Sequence, residues 1–246
     1  MRFLIFQHVP HEHLGRISTY CEKENIDLEI VELWKSHKIP NVTDFDGLII
    51  MGGPMSVYDE ESSYPTKLHE LSTIRLAIRN KIPILGFCLG SQLLANALGA
   101  SVYPNVINGQ RVKEIGFFQV ELTEEGRKDP LFSGLSSPLI VLQWHGDAFD
   151  IPNKAIKLAT APLCPNQAFR YDTAYGLLFH LEFTQEMVKN QLEIDRVWIH
   201  KDNELDEDEI LKQALENDTL MEKQCQRLFY NFLKLINSRI REDEII

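Results

Sequence analysis

Several features are scarce or missing in this sequence of 246 residues. No run of apolar residues approaches the ~18 that a bilayer-spanning helix needs. The apolar part of segment 2–8 is too short for a signal peptide, so we interpret it as a first strand. Positive charge is also scarce, because the net charge is −11, which argues against binding to nucleic acid or to an anionic membrane. We therefore expect a cytoplasmic protein without either kind of partner.

Cysteine is rare as well. The four cysteines, Cys21, Cys88, Cys164 and Cys225, show no C-x-x-C spacing, which argues against a zinc site or a disulfide framework. The histidine-rich segment 8–13 matches no firm metal-ligand signature, and we interpret it as solvated loop residues. We expect neither a metal nor another cofactor.

No Pro/Gly/Ser-rich linker and no internal repeat divides the chain, and its hydrophobic content of 44% is typical of a globular protein. The pattern predicts strands near 2–8, 28–33, 47–51, 82–87, 117–122, 139–144, 156–160 and 175–180. It predicts helices near 13–24, 64–80, 90–98 and 184–193. This alternation indicates an α/β fold, with a single doubly wound, mainly parallel sheet, helices on both faces and a site at the carboxyl ends of the strands.

The sequence pattern predicts helices in the last part of the chain. We expect residues 1–194 to form the main domain and 195–246 a helical extension packed on it. Residues 201–218 carry eight acidic residues, which suit a helix start and a solvated face, with docking to a basic partner as the alternative. A capping-box pattern at 219–222 predicts the start of a final helix. Its apolar stripe toward the core is Met221, Cys225, Leu228, Phe229, Phe232, Leu233 and Ile236.

The most informative motif is Gly-Phe-Cys-Leu-Gly-Ser-Gln at 86–92, between a predicted strand and a predicted helix. A residue at such a sharp turn takes a strained backbone conformation and needs small neighbours, which Gly86 and Gly90 supply. The helix N-terminus favours the thiolate form of Cys88. The motif predicts a cysteine nucleophile, although a cysteine that merely packs in the core is the alternative.

A thiolate nucleophile needs a base, and the base needs a group that orients it. His180 and Glu182 follow a buried apolar run, and residues two apart in a strand share a face. The carboxylate of Glu182 would then hold the imidazole of His180 in one tautomer. Taken alone, the pair could also be an ordinary histidine beside a charge.

Two further motifs adjoin predicted strand ends. Gly-Gly-Pro at 52–54 encodes a turn, but it could also direct the N–H of Gly53 at an oxyanion, with the N–H of Leu89 as the second donor. Trp-His-Gly-Asp at 144–147 introduces His145 as a competing base, but the motif ends an apolar strand and is also typical of a turn with a capped aspartate, so we favour His180.

These motifs, together with Phe-His-Leu-Glu-Phe at 179–183, resemble those of the class I glutamine amidotransferase family, and within it the glutaminase half of GMP synthase. The resemblance runs from the first strand to about Thr184. It implies a flavodoxin-like fold and a Cys88, His180 and Glu182 triad that releases ammonia from glutamine through a γ-glutamyl thioester. The family usually has proline where this chain has Leu181, which should alter the backbone more than the chemistry.

The sequence has neither a Gly-x-x-x-x-Gly-Lys-[Ser/Thr] loop nor a Ser-Gly-Gly-x-Asp loop, so a nucleotide-activating half is not indicated. Ammonia would then pass to a separate synthetase subunit. The alternatives are a stand-alone γ-glutamyl peptidase acting on glutathione-like compounds and a non-catalytic glutamine-binding module. In either enzyme, Gln92 lies one helical turn after Cys88 and could contact the α-amino or carboxylate end of the substrate.

Overall fold

The computed structural model describes residues 1–36, 38–201 and 205–243, with side chains as far as Arg239. Its strands are β1 (Arg2–Gln7), β2 (Asp27–Glu32), β3 (Gly47–Ile50), β4 (Ile84–Phe87), β5 (Val102–Pro104), β6 (Val106–Ile107), β7 (Gln110–Arg111), β8 (Glu114–Leu122), β9 (Leu139–His145), β10 (Asp147–Phe149), β11 (Ile156–Thr160), β12 (Ala168–Tyr171) and β13 (Ala174–Leu177). Its α-helices are α1 (Arg16–Lys23), α2 (Lys67–Arg79), α3 (Leu89–Ala97), α4 (Glu124–Lys128), α5 (Gln185–Ile194), α6 (Arg196–Ile199) and α7 (Glu207–Asp243).

Nine of the strands in the described residues form one sheet, in the order β2-β1-β3-β4-β13-β12-β11-β8-β9. The strands from β2 to β13 in this order are parallel to one another. From β13 onward the neighbouring strands are antiparallel. The predicted α/β fold with a large, mainly parallel sheet is confirmed, and the antiparallel strands extend that sheet on one side.

Strand β1 shows how helices come to cover both faces of the sheet. Phe3 and Ile5 belong to the buried cluster packed by α1, α5 and α7, whereas Leu4 and Phe6 belong to the cluster packed by α2 and α3. Successive side chains of a strand point to opposite faces. Because both faces are buried, the parallel strands β1, β3 and β4 are largely continuous apolar runs in the sequence, whereas the edge strand β2 is charged and mostly not buried.

The chain after β13 differs from the prediction. The strand ends at Leu177, short of the predicted continuation to 180, and the chain then changes its pairing partner. The N–H of His180 donates to the carbonyl of Leu142 at 2.8 Å, and the N–H of Leu142 donates back at 3.1 Å. This isolated bridge to β9, not strand continuation, fixes the backbone at His180. The sequence pattern also misses the short strand β12, which is only half buried.

Helix α7 begins earlier than its capping-box pattern predicts. It starts at Glu207, and the side chain of Asp206 accepts from the N–H of Glu209 at 3.0 Å, so Thr219 lies inside the helix and the predicted start at 219 is wrong. The acidic helix start is confirmed, although Asp202 and Glu204 lie outside the described residues. The predicted apolar stripe from 221 to 236 is buried against the core.

Within the described parts of the chain, no helix has both the length and the apolar character that crossing a membrane requires. Helix α7 is long enough at 37 residues, but its exposed side is charged.

Candidate active site

Cys88 lies on a sharp turn between β4 and α3. Its backbone has φ 46° and ψ −107°, which is a strained conformation for any residue except glycine. A Cβ on Gly86 would lie 2.6 Å from the backbone of Gly90, and a Cβ on Gly90 would clash with the carbonyl of Ile50. Only glycine fits at both flanking positions, so the predicted elbow is present in the fold.

The side chain of Cys88 is 6% exposed and lines a pocket at the carboxyl ends of the parallel strands. The pocket contains about 180 Å³ of open space, more than ten times the ~15 Å³ that one water molecule needs, so a small amino acid fits. Its walls include Glu12, Gly53, Gln92, Trp144 and Trp198. Cys88 is thus enclosed, whereas the elbow pattern alone predicts an exposed side chain.

This enclosure changes the electrostatics of the thiol. Burial raises the pKa of Cys88, while hydrogen bonding and attraction to His180, and a hydrogen bond from the N–H of Leu89, act in the opposite direction. The net shift of the pKa is upward, so burial outweighs the preference for the thiolate that the helix N-terminus predicts.

His180 and Glu182 lie together beside Cys88. Nδ1 of His180 is 2.6 Å from Oε1 of Glu182, and both side chains are buried. Burial opposes the imidazolium form, but the attraction of Glu182 and the hydrogen bonds with Cys88 and Glu182 raise the pKa of His180 well above 6.5. The imidazole is therefore oriented by the carboxylate on one side and interacts with the thiol.

The residue between the pair contributes to its geometry. The N–H of Leu181 donates to Oε2 of Glu182 at 3.0 Å, so both oxygens of the carboxylate are occupied. A proline here would have no N–H to donate. The departure from the family pattern at Leu181 therefore reaches the orienting carboxylate as well as the local backbone.

The segment after the pair is held by Arg16, the first residue of α1. Nε of Arg16 donates to the carbonyl of Phe183 at 3.0 Å. The same guanidinium pairs with Asp218 at 2.6 Å and with Glu222 at 3.0 Å, both on α7, although only 8% of the Arg16 side chain is exposed. Helix α7 thus supports the loop that carries Glu182.

A buried network fixes the Gly-Gly-Pro turn. His8 lies 2.9 Å from the carbonyl of Gly52 through Nδ1 and 2.8 Å from Oε2 of Glu70 through Nε2, and Tyr64 donates to the same carboxylate oxygen at 3.0 Å. Burial opposes the charged ring, but Glu70 and the carbonyl of Gly52 raise the pKa of His8. Because the C=O and N–H of a trans peptide point in opposite directions, this arrangement turns the N–H of Gly53 away from His8.

The interpretation of segment 8–13 as solvated is wrong for two of its members, since His8 and Glu12 are both buried. A Cβ on Gly52 would clash with Oε2 of Glu12 and would lie 3.2 Å from Cε1 of His180, so Glu12 reaches the centre of the site. The turn after β1 folds inward, and local composition cannot show this. In the described part of the chain, no group of three His, Cys, Asp or Glu side chains could hold a metal ion.

His145 also lines the pocket, and the structure gives it a carboxylate that its local sequence does not show. Its Nε2 lies 3.1 Å from Oε2 of Glu114, which is opposite His145 in the β8–β9 register. Its Nδ1 lies 3.1 Å from the carbonyl of Asp147. Both ring nitrogens therefore have neighbours other than Cys88.

Asp147 connects two of the predicted motifs. Its carboxylate accepts from Ser56 at 2.7 Å, Tyr58 at 2.9 Å and Arg111 at 3.0 Å. The Trp-His-Gly-Asp segment therefore holds the loop that follows the Gly-Gly-Pro turn. Gln92, on the first turns of α3, is buried and contributes to the pocket wall as its helical spacing predicts.

The fold and this arrangement of residues define a class of protein. A family model described as class-I glutamine amidotransferase matches residues 7–199, and the chain belongs to this family. It is 33% identical to the glutamine amidotransferase-like protein YfeJ of Salmonella typhimurium, over 78% of this chain and 80% of that protein. It is 30% identical to a GMP synthase of Helicobacter pylori over 69% of this chain, which spans only 30% of that enzyme.

Solved structures give the same result. A glutamine amidotransferase from Thermotoga maritima superposes with a TM-score of 0.85 at 30% identity, covering 96% of this chain and 98% of that one. A glutamine amidotransferase from Methylobacillus flagellatus superposes with a TM-score of 0.82 at 26% identity, covering 95% and 94%.

Proposed function

We propose that this chain hydrolyses the side-chain amide of glutamine through a γ-glutamyl thioester on Cys88 and releases ammonia. The observation that carries the proposal is the placement of His180, which interacts with Cys88 and is held by Glu182 at 2.6 Å. Membership of the class I amidotransferase family supports the choice of glutamine as substrate.

In the proposed reaction, Cys88 gives its proton to His180 as its sulfur attacks the γ-carbonyl carbon. The N–H groups of Gly53 and Leu89 stabilise the resulting oxyanion. His180 then gives the proton to the departing nitrogen, the C–N bond breaks, and ammonia leaves the γ-glutamyl thioester. Water attacks the thioester carbon while His180 takes a proton from it, and His180 returns that proton to the Cys88 sulfur as the C–S bond breaks and glutamate is released.

Glu182 orients the imidazole in both half-reactions and stabilises its charged form. Gln92 lines the same pocket, and of the two ends of the amino acid that it could contact we assign it to the α-carboxylate. No step requires a cofactor. The cytoplasmic location and the division at residue 194 remain predictions.

We propose a separate synthetase subunit as the acceptor of the ammonia. The support comes from the GMP synthase relatives, which are glutamine-hydrolysing enzymes and of whose length this chain spans only about 30%.

Replacing Cys88 by alanine should abolish turnover, because no other thiol lines the pocket in the described structure. Steady-state assays should include glutamine and a panel of γ-glutamyl dipeptides, with mass spectrometry of the chain after a glutamine-derived electrophile. Label is expected on Cys88 alone, since burial raises the pKa values of Cys21 and Cys164 to about 12. Rapid cleavage of the dipeptides with negligible turnover of glutamine would instead establish the γ-glutamyl peptidase, and label on another cysteine would contradict the mechanism.

A further inference from the structure

The pocket contains a carboxylate for which the proposed reaction has no use. Glu12 is 5% exposed and lines the same pocket as Cys88. No described residue hydrogen-bonds to its carboxylate or forms an ion pair with it, although Oε2 lies against Gly52 near the ring of His180. An ionised carboxylate is costly to bury without a partner, so this position requires an explanation.

A second carboxylate lies on the same pocket wall. Oδ2 of Asp195 accepts from Nε1 of Trp144 at 2.8 Å and from Nε2 of Gln191 at 2.7 Å. These two donors fix the side chain but leave Oδ1 without a hydrogen bond from any described residue. The amide oxygen of Gln191 is also buried without a hydrogen-bond partner.

The electrostatics of Glu12 favour a cationic ligand. Burial raises the pKa of Glu12 to about 7, and repulsion by Asp195 and Glu182 adds to this effect, whereas His180 and His8 act in the opposite direction. A ligand that offered several N–H donors and a positive charge would satisfy both carboxylates at once. A carboxylate or phosphate ligand would be repelled at this end of the pocket.

We infer that Glu12 and Asp195 form a subsite that binds a primary ammonium group beside Cys88. This inference rests on the proposed function, which supplies two such groups: the α-ammonium group of the γ-glutamyl substrate and the ammonium ion that forms from the product. With Gln92 available for the α-carboxylate, the first source would give the pocket complementary groups for both ends of an amino acid.

The experiment compares glutamine with glutaramate, which has the same amide and carboxylate but no α-ammonium group. The unaltered chain should prefer glutamine in kcat/KM by about 10- to 100-fold, since a hydrogen bond to a charged group contributes about 1.5–3 kcal/mol. Glu12→Gln and Asp195→Asn should each reduce this preference about tenfold or more, mainly by lowering the value for glutamine. Glu193→Gln, which alters an exposed carboxylate near Asp195, is the matched control and should leave the preference unchanged.

The second arm tests the ammonium ion as occupant. Ammonium chloride should inhibit glutaramate turnover by the unaltered chain but not by Glu12→Gln if the product binds here, with potassium chloride as the salt control. A preference for glutamine that Glu12→Gln loses supports the subsite and identifies the α-ammonium group as its ligand. Inhibition by ammonium chloride that Glu12→Gln loses supports the subsite and identifies the ammonium ion as its ligand. Equal losses on both substrates in Glu12→Gln, or no change in either assay, would overturn it.

Calorimetry on Cys88→Ala separates this inference from the proposed reaction, because it needs no turnover. If that variant binds glutamine more tightly than glutaramate, and the added Glu12→Gln substitution removes the difference, the subsite stands even if the unaltered chain hydrolyses neither compound. Equal affinities for the two compounds, together with no inhibition by ammonium chloride in the second arm, would overturn the subsite while leaving hydrolysis through Cys88 intact.

Discussion

Two histidine–carboxylate pairs border one pocket, and they differ in what their imidazole rings contact. His180 is held by Glu182 and interacts with the thiol of Cys88. His145 lies between Glu114 and the carbonyl of Asp147, with a neighbour at each ring nitrogen. A buried carboxylate partner is therefore not enough to make a histidine a base, because the ring must also have a nitrogen available to the nucleophile. We expect His180 to serve the chemistry and His145 to serve the architecture of the pocket wall.

The largest difference in kcat between the two pairs should appear when each histidine is replaced by alanine. His180→Ala should lower kcat by about 10³-fold or more, leaving the catalysis that the oxyanion donors provide. His145→Ala should retain far more activity, because it leaves Cys88 with its base. Steady-state kinetics on the two folded variants, with circular dichroism to check the fold, measures this. Equal losses would mean that His145 shares the chemistry.

Replacing the carboxylate partner should also lower kcat more for the His180 pair than for the His145 pair, by a smaller factor than replacing the histidine. Glu182→Gln should lower kcat by about 10²- to 10⁴-fold, since an amide can favour the wrong tautomer of His180 and cannot stabilise its charged form. Glu114→Gln should have a much weaker effect on kcat. The pH profile supplies a second readout, because loss of the carboxylate should lower the pKa of His180. An unchanged profile in Glu182→Gln would show that the contact at 2.6 Å does not orient the base.

A third pair, His8 and Glu70, acts on the reaction indirectly, through the carbonyl of Gly52. His8→Ala should lower kcat about 10- to 100-fold with little change in KM, because the carbonyl of Gly52 loses its partner and the N–H of Gly53 is no longer fixed as an oxyanion donor. His69→Ala, an exposed change next to Glu70 on α2, is the control. A rise in KM without a fall in kcat would assign His8 to substrate binding instead.

The smallest effect concerns stability. Burial raises the pKa of Glu12 from 4.5 to about 7 in the folded chain. Between pH 4.5 and 7 the folded state therefore binds more protons than the unfolded state. The free energy of unfolding consequently falls as pH rises through this range. Glutamine does not titrate, so Glu12→Gln should gain stability relative to the unaltered chain from pH 4.5 to 7, by up to about 3 kcal/mol, with a constant difference above pH 7. Urea unfolding at pH 4, 6 and 8, with Glu193→Gln as the control, measures this. A constant difference across all three pH values would contradict it.

The sequence predicted features made of residues close together in the chain, and it did not predict contacts between residues far apart in the chain. The elbow at Cys88 and the spacing of His180 and Glu182 are local patterns, and both are recognisable without a fold. The link from His8 to Glu70 crosses 62 positions, so it depends on how α2 packs against the end of β1. Glu114 likewise meets His145 only through the register of β8 and β9.

Two predictions from local patterns also failed. The capping-box residues at 219–222 lie inside α7 because the helix already begins at Glu207, and its apolar stripe packs on the core along most of its length. The strand predicted to reach His180 stops at Leu177 because the chain turns to pair with Leu142. A local cap at Asp206 decided the first outcome, and a contact distant in sequence decided the second.

The contacts of Arg16 connect the loop that carries Glu182 to helix α7. The match to the family model ends at residue 199, yet the guanidinium of Arg16 holds the carbonyl of Phe183 while it is itself paired with Asp218 and Glu222. A fragment cut at residue 199 would keep every proposed catalytic group but leave a mostly buried cation without its two carboxylates, next to the loop that orients His180. We therefore expect a fragment that keeps this support of the site to need α7, which the span of the family model leaves out.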